Sequence, residues 1–520
     1  MKLPATTTVT GAVLTLALLV ACGNKTGPSA GGGGDTAVVD GGTFTMALST
    51  DPGNLDPQSS AASALFTVTQ LAYDSLLSVK SDNGEIRSGL ATKWTTSGRT
   101  VTLTLADGIN CSDGTALTAT DVAANIAYVG DPKNKSPFLG TFLPVGATAK
   151  ADDAARTVTL TLAAPAPFVL NGLASLPIVC PAGLHDRKSL ARATSGTGPY
   201  QLTEAAPGDH YTYKIRDGYT WGPNGASTAT AGMPDTIVMK VVQNETTAAN
   251  LLLSGGLNAA TVIGPDVDRL EKSGLFAAET TALVGEQWYN HAKGRATSDP
   301  AVRMALTQAL DLAELRKVLT SGKGGPATTL ATIGAVACPG DSISKSLPAR
   351  NADAARAALQ KANVPPLILL YDNSRGSGSG AAAELAVQQW QAAGVKVTAR
   401  GLAGSALTET IFGAGDWDIA WVPLNVNSPD GVVPFLSGPA APNGTNFSGI
   451  HNTKYEATVA KATALSGKDS CATWLEAESA VVADADLVPF ANSPVKTFGA
   501  KARFETPGQI VPTSIRMLAH

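Results

Sequence analysis

The sequence predicts an α/β protein of more than one domain, and three observations carry that expectation. Residues 367–421 alternate strands with helices: 367–371 is a continuous apolar strand, 380–393 an Ala-rich helix stopped by Gly394, 395–399 a strand, 405–412 a second helix and 418–422 a third strand. Strands separated by helices of that length imply a parallel, doubly wound sheet whose ligand sites lie at strand carboxyl ends, here the loops after Tyr371 and Trp421. The chain has 520 residues, more than one core normally covers, so two or three domains are expected. Charged residues make up only 15%, with Gly and Ala plentiful, which describes a compact soluble chain rather than a disordered one.

At the start, Met1-Lys2 precedes a mostly apolar run over 5–20, the core of a signal peptide and too short for an ordinary membrane span. Leu19-Val20-Ala21-Cys22 follows, and then a Gly-rich stretch with four consecutive glycines from Gly31 to Gly34, which reads as a flexible tether. The formal charge of −4 becomes −5 once a leader carrying Lys2 is removed. No basic field exists to attract nucleic acid or an anionic membrane.

Residues 42–49 form a short strand, and Asn54-Leu55-Asp56-Pro57 a turn that hands over to an amphipathic helix through Leu76. Residues 100–105 alternate Thr with Val and Leu, the period of a half-buried strand. Asp107-Gly108 and Asp113-Gly114 supply two turns, Thr118 is a good N-cap, and Asp121 places a carboxylate in the first turn of the helix that follows. Residues 153–162 and 168–176 add strand and loop material. In the stretch 194–200, TSGTGPY, Gly196 and Gly198 permit tight backbone geometry and Pro199 fixes the start of a strand. It is no phosphate loop, since no Gly-Lys-Ser/Thr and no helix follow. A strand at 236–242 precedes a helix at 246–253, closed by Ser254-Gly255-Gly256. Residues 299–319 carry apolar Val302, Ala305, Leu306, Leu310 and Leu315 on one helical face.

Candidates for reaction chemistry are few. The five histidines are scattered and no H-E-x-x-H occurs. Residues 27–31, GPSAG, match G-x-S-x-G, but they sit in the tether with no strand before them, so the nucleophile elbow is missing. Apart from Cys22 the cysteines are Cys111, Cys180, Cys338 and Cys471, with no C-x-x-C spacing. In an exported protein an even number suggests two disulfides, with three possible pairings. The expectation is a binding protein, not an enzyme, with no metal and no cofactor.

Several stretches taken together resemble one family. Residues 105–122, LADGINCSDGTALTATDV, are similar to the "L-R-x-G-v-x-F-x-D-G-x-P-l-T-A-x-D-V" block of the bacterial extracellular solute-binding proteins, family 5, which serve peptide, dipeptide and nickel importers. Cys111 stands where that family usually has an aromatic residue. Leu55-Asp56-Pro57 resembles its opening "t-L-D-P", residues 89–94 its "P-x-L-A-x-x-W", and 196–200 its "G-T-G-P-Y" letter for letter. Residues 216–222, RDGYTWG, resemble "R-N-x-x-Y-W-G", and 299–312 its "D-x-x-V-R-x-A-x-x-x-A-I-D-r", with Arg303 and Asp311 keeping the charged positions. Leu19 to Cys22 resembles the lipobox, in which the cysteine becomes the lipidated first residue.

The resemblance implies a two-lobed, periplasmic-binding-protein-like fold, class II and large cluster C type, with an accessory subdomain in the first lobe. The expected division is a signal peptide at 1–21, a tether at 22–41, lobe 1 at 42–74, 185–262 and 488–520, the accessory subdomain at 75–184, and lobe 2 at 263–487. It implies a lipoprotein anchored outside the cell membrane through Cys22, a monomer that passes short peptides to the permease of an ABC importer. Disulfides within a lobe leave closure free whereas cross-lobe links would lock it, so Cys111–Cys180 and Cys338–Cys471 are the expected pairs.

Peptide-binding members clamp the ligand main chain with strand-like segments. The matching stretches are 60–63, with Ser60, Ala61 and Ser63, and 424–428, with Asn425 and Asn427. Arg375 lies near where a dipeptide-type member binds the ligand carboxylate, a role that suits a guanidinium fork; a solvent-facing loop arginine is the alternative. The family's amine-binding Asp falls a few residues before Pro429, where this chain has Asn425 and Asn427, so either Asp430 substitutes or the ligand's amine is blocked or absent. Trp288, Tyr289 and Trp421 would add apolar contact, with core packing the alternative role. Haem, metal chelates and sugars, carried by relatives, remain open as ligands, as does a regulatory or envelope-assembly role on the same scaffold.

Overall fold

In the computed structural model, residues 37–519 are described except Ser81, Gly334, Ala335, Arg375, Gly376 and Ser466. The expected signal peptide, Cys22 and the tether up to residue 36 therefore lie outside the described residues, whereas the last part of the expected tether is paired to the fold, Val39 N donating to the Met517 carbonyl and Gly41 N to that of Met233. The fold is built on one sheet of ten strands: β1 (Thr43–Leu48), β2 (Tyr200–Ala206), β3 (His210–Ile215), β4 (Thr236–Val241), β5 (Ala259–Val262), β6 (Phe276–Tyr289), β7 (Leu367–Asp372), β8 (Val397–Leu402), β9 (Ile419–Trp421) and β10 (Leu487–Gly499). Their order is β8-β7-β9-β6-β10-β5-β1-β4-β3-β2. The chain thus forms two halves of a mixed α/β sheet, sharing the central strands.

The second half contains the parallel unit that the alternation of strands and helices predicts. β7 pairs in parallel with both β8 and β9, and the helix Ser377–Ala392 crosses between β7 and β8. Gly394 ends that crossover at φ +90°. In the first half β1 lies between parallel neighbours β4 and β5. It buries Phe44, Met46 and Leu48, alternate residues of one face.

The halves meet along β6 and β10, antiparallel from Phe276 opposite Gly499 to Trp288 opposite Leu487. One end of this pair joins β5 through 496–499, and the other joins β9 through 287–289. The ladder is irregular between Leu283 and Glu286. Gly285 sits there because a Cβ would stand 2.6 Å from the Phe490 ring.

A separate four-stranded antiparallel sheet, with Thr100–Leu105 inside it, has its own core of residues that include Val101, Leu103, Leu105, Val122, Ile126, Val158 and Leu160. Asp121 accepts from the backbone and hydroxyl of Thr118, and the Thr118 hydroxyl accepts from Asp121 N, a complete capping box on the helix Ala119–Gly130.

Three expectations need correction. The helix expected through Leu76 is only Ser63–Thr69. Beyond it the carbonyls of Leu71 and Ala72 accept from Tyr200 N and Gly198 N, so the TSGTGPY stretch captures the chain and stops the helix. A Cβ on Gly198 would stand 2.5 Å from the carbonyl carbon of Ala72, which explains the glycine. Residues 168–176 contain a short helix, Val169–Leu173, rather than a strand. The single helical face expected at 299–319 is two helices, Pro300–Gln308 and Leu312–Leu319. Asp311 is the N-cap of the second, accepting from Glu314 N, so the matched acidic position is a helix start.

The disulfides are Cys111–Cys180, beside the smaller sheet's core, and Cys338–Cys471, within the second half. This is the pairing expected.

Candidate functional site: the cleft at the strand crossover

The loop after Leu55 is fixed by polar side chains rather than by regular structure. Asp56 accepts from Gln58 N at 3.0 Å and forms an ion pair with Arg187. Arg187 also donates to Gln58 Oε1 at 3.1 Å and lies over the Tyr128 ring, 3.8 Å from its centroid. Gln58 is fully buried and donates to Asn125 Oδ1 and the Pro177 carbonyl. This mooring presents the next residues at the surface: Ala61 and Ser63 are exposed and Ser60 half-buried, with Ser60 Oγ accepting from Ala62 N. The motif Leu-Asp-Pro-Gln is thus an anchor that aims 60–63. Arg187 and Asn125, its partners, have no local sequence signal.

The loop after β9 reaches the crossover. Leu424 N donates to Glu286 Oε2 at 2.7 Å. Asn425 Oδ1 accepts from Leu283 N at 2.9 Å and from Thr332 Oγ1 at 3.1 Å, while its Nδ2 donates to the Leu283 carbonyl at 3.0 Å. Asn425 therefore pairs the main chain of β6 at its irregular point. A carboxylate in its place would lose the donated bond. The carbonyl of Val426 accepts from Thr332 N, and that of Asn427 from Ala337 N, so part of the strand-like edge at 424–428 is already paired within the chain.

Asp430, in the turn Pro429–Val432, accepts from Ser428 Oγ at 2.6 Å. Burial pushes its carboxyl up to about 6, against the opposing pull of that hydrogen bond.

The three aromatic candidates are buried side chains. Trp288 and Tyr289 are fully buried and Trp421 is 5% exposed. Trp288 Nε1 donates to the Val422 carbonyl, and its ring packs on Phe447. The Tyr289 hydroxyl joins Thr307 and Gln287, and Trp421 donates to Gln287 and packs on Phe490. Every polar atom of these rings is engaged inside the second half, so all three are core. Arg375 lies outside the described residues.

Beside the crossover is an open cavity of about 410 Å³. Its walls come from β6 (Ala278, Glu279, Thr280, Thr281), from Thr332 of the second half, from the chain after β10 (Glu505, Thr506, Pro507) and from Asp82. Seven of these nine residues carry a hydroxyl or a carboxylate. Glu279 pairs with Lys496 at 3.3 Å and Asp82 with Lys80 at 2.6 Å. Through Thr332 the wall is bonded to Asn425, and through Asn425 to Leu283. A solute here would touch residues of both halves. Neither Thr280, Thr281 and Thr332 nor Glu505 stood out in the sequence, because hydroxyl residues on strands are common.

No group of three or more potential metal ligands occurs among the described residues, nor does any helix there long and apolar enough to cross a membrane.

Known proteins share this fold. The "Glutathione-binding protein GsiB" of Escherichia coli (strain K12) is 28% identical over 303 residues, 56% of this chain and 55% of that protein. The chain thus matches about half the length of the curated relative. A substrate binding protein from Microbacterium hydrocarbonoxydans, solved with 4-hydroxybenzoate hydrazide, superposes with a TM-score of 0.79 at 28% identity, covering 91% of this chain and 99% of that one. The Helicobacter pylori DppA structure, with peptide STSA, shares the fold at a TM-score of 0.78 and 21% identity, over 92% and 98% of the chains. The family described as bacterial extracellular solute-binding proteins, family 5 middle, matches residues 85–444. With that match over more than half its length, and a two-lobed class II fold, the chain belongs to the bacterial extracellular solute-binding proteins of family 5.

Proposed function

We propose that the protein captures short peptides between its lobes and delivers them to the permease of an ABC importer. The observation that carries this reading is the cavity at the β6–β10 crossover, whose walls come from both halves of the sheet. About 410 Å³ falls in the range of sites for small ligands and suits a di- or tripeptide. Threonine hydroxyls along β6 complement a peptide main chain, and the carboxylates of Glu505 and Asp430 suit a free ammonium end. Ser60, Ala61 and Ser63 form the opposing edge, and Arg375 receives the carboxylate.

In this reading lobe 1 is 42–74, 185–262 and 488–520, carrying the accessory subdomain 75–184, and lobe 2 is 263–487. A ligand held by both lobes stabilises the closed form, which the permease recognises. The mature protein begins at lipidated Cys22 and works as a monomer outside the cell membrane. Its relatives' family binds solutes and is not catalytic.

One observation favours a second reading. The Microbacterium relative, 28% identical over nearly the whole chain, holds an aromatic acyl hydrazide rather than a peptide. On that reading the half-paired edge at 424–428 leaves no room for a peptide strand, and a small aromatic solute takes the cavity. A thermal-shift screen of the mature protein against dipeptides, glutathione and 4-hydroxybenzoate hydrazide separates the two, since a ligand of the native state alone raises the melting temperature. The peptide reading requires a shift with dipeptides or glutathione.

A further inference from the structure

The four-stranded sheet contributes no residue to the walls of the cavity, yet a residue of the region around it is buried by the opposite half of the molecule. Phe168 caps the start of the helix Val169–Leu173 in the accessory region and is only 7% exposed. It does not join the core beneath its own sheet, where its neighbour Val169 packs. Its buried neighbours are Trp474, Ala462 and Cys338, with Val433, Val459, Ala337 and Cys471 around them, all from lobe 2. The Phe168 ring lies 6.1 Å from that of Trp474, tilted by 52°. Gly140 makes a second contact of the same kind: a Cβ there would stand 3.2 Å from Pro434 Cγ.

Each side of this contact is rigidly mounted. On the accessory side, Arg216 donates to the carbonyls of Asn110 and Cys111, Tyr219 donates to Asp74, and Cys111–Cys180 ties the region to the chain that returns to lobe 1. On the other side, the Cys338–Cys471 disulfide joins two walls of the socket. Lobes 1 and 2 are also linked along β6 and β10, where Gly325 bridges to Asn492 beside the pair. Rotation about that pair to open the cavity would withdraw Phe168 from Trp474 and expose both rings to water.

We propose that Phe168 is a latch: seated against Trp474 and the Cys338–Cys471 disulfide, it lets the accessory subdomain hold the lobes closed and so retain solute without touching it. Phe168 is a positioning residue, acting on binding through the closed-to-open ratio. The proposal rests on the two-lobed reading of the fold but not on which solute is bound. Its test therefore uses the ligand-free protein.

Small-angle X-ray scattering compares the wild type with Phe168→Ala and Phe168→Leu, each first shown to melt cooperatively. Because Phe168 lies outside the core of its own sheet, both variants should fold. The closed-to-open ratio is expected to fall about tenfold in Phe168→Ala, seen as a larger radius of gyration, with Phe168→Leu between it and the wild type. Overlapping scattering profiles for the wild type and Phe168→Ala would overturn the latch, whatever solute the cleft accepts. If Phe168→Ala lost its fold, a Phe168→Leu profile identical to the wild type would overturn it equally.

Discussion

Among individual residues, the buried carboxylates of lobe 2 give the sharpest expectations. Glu478 is 2% exposed and accepts from Ser342 Oγ and Leu330 N. Burial pushes its carboxyl from 4.5 up to about 7, outweighing those hydrogen bonds. A folded pKa above the unfolded value means the native state binds the proton more tightly, so the penalty for ionising Glu478 is absent below about pH 4.5 and complete above 7. It amounts to about 3 kcal/mol. His291 works the other way: burial, with Arg303 nearby, lowers it from 6.5 to about 3, so acid favours the unfolded state below pH 6.5. Comparing Glu478→Gln with the wild type at each pH cancels the histidine. The variant should be the more stable at pH 8, by up to that amount, with the advantage gone by pH 4.5. Equal denaturation midpoints at pH 8 would refute the buried charge. Asn425→Ala removes the side-chain donor to the Leu283 carbonyl at the ladder's irregular point and leaves the Leu283 N–H only its longer bond to Thr332 Oγ1 at 3.3 Å, a loss of about 1–3 kcal/mol. Asn425→Asp keeps the acceptor but loses the donated bond and sets a carboxylate oxygen against the Leu283 carbonyl, so it too should melt lower; an Asp variant as stable as the wild type would show that the donated bond does not matter.

Among elements, the sequence was most legible where one residue has one local duty. Thr118 and Asp121 read as a helix start and form a full capping box. Thr118→Ala should therefore cost about 1 kcal/mol in chemical denaturation, with Thr118→Ser near neutral. The alternating strand Thr100–Leu105 and the Gly255 cap were visible for the same reason. Legibility failed where a distant segment decides the outcome. Nothing local says that Gly198 and Tyr200 will seize the carbonyls of Ala72 and Leu71 and end a helix at Thr69. Asp311 was read as a point on a helical face when it starts a new helix, because Ala309 and Leu310 continue the apolar pattern across the break. In the site, Trp288, Tyr289 and Trp421 looked like ligand contacts since aromatic residues near strand ends serve both roles. Burial, which separates the two, is a tertiary property. Asn425 was noticed as a departure from the family's acid, but its partner Leu283 lies 142 positions away.

At the scale of the whole molecule, two lobes share one sheet and each disulfide stays on one side of the crossover. Loops of 69 and 133 residues give a chain-entropy ceiling of roughly 4 to 5 kcal/mol per link. Replacing Cys338 and Cys471 together by Ala should lower the unfolding midpoint while leaving the protein able to close on a solute. A double variant as stable as the wild type would mean that the unfolded chain is compact without the link. The peptide reading requires that the crossover cavity take a short peptide. Titration calorimetry of the mature protein with di- to hexapeptides tests it most directly. Saturable binding of at least one di- or tripeptide is expected at a stoichiometry near one, weakened more than tenfold, above about 1.4 kcal/mol, by Arg375→Ala. No heat from any peptide, alongside tight binding of 4-hydroxybenzoate hydrazide, would contradict it.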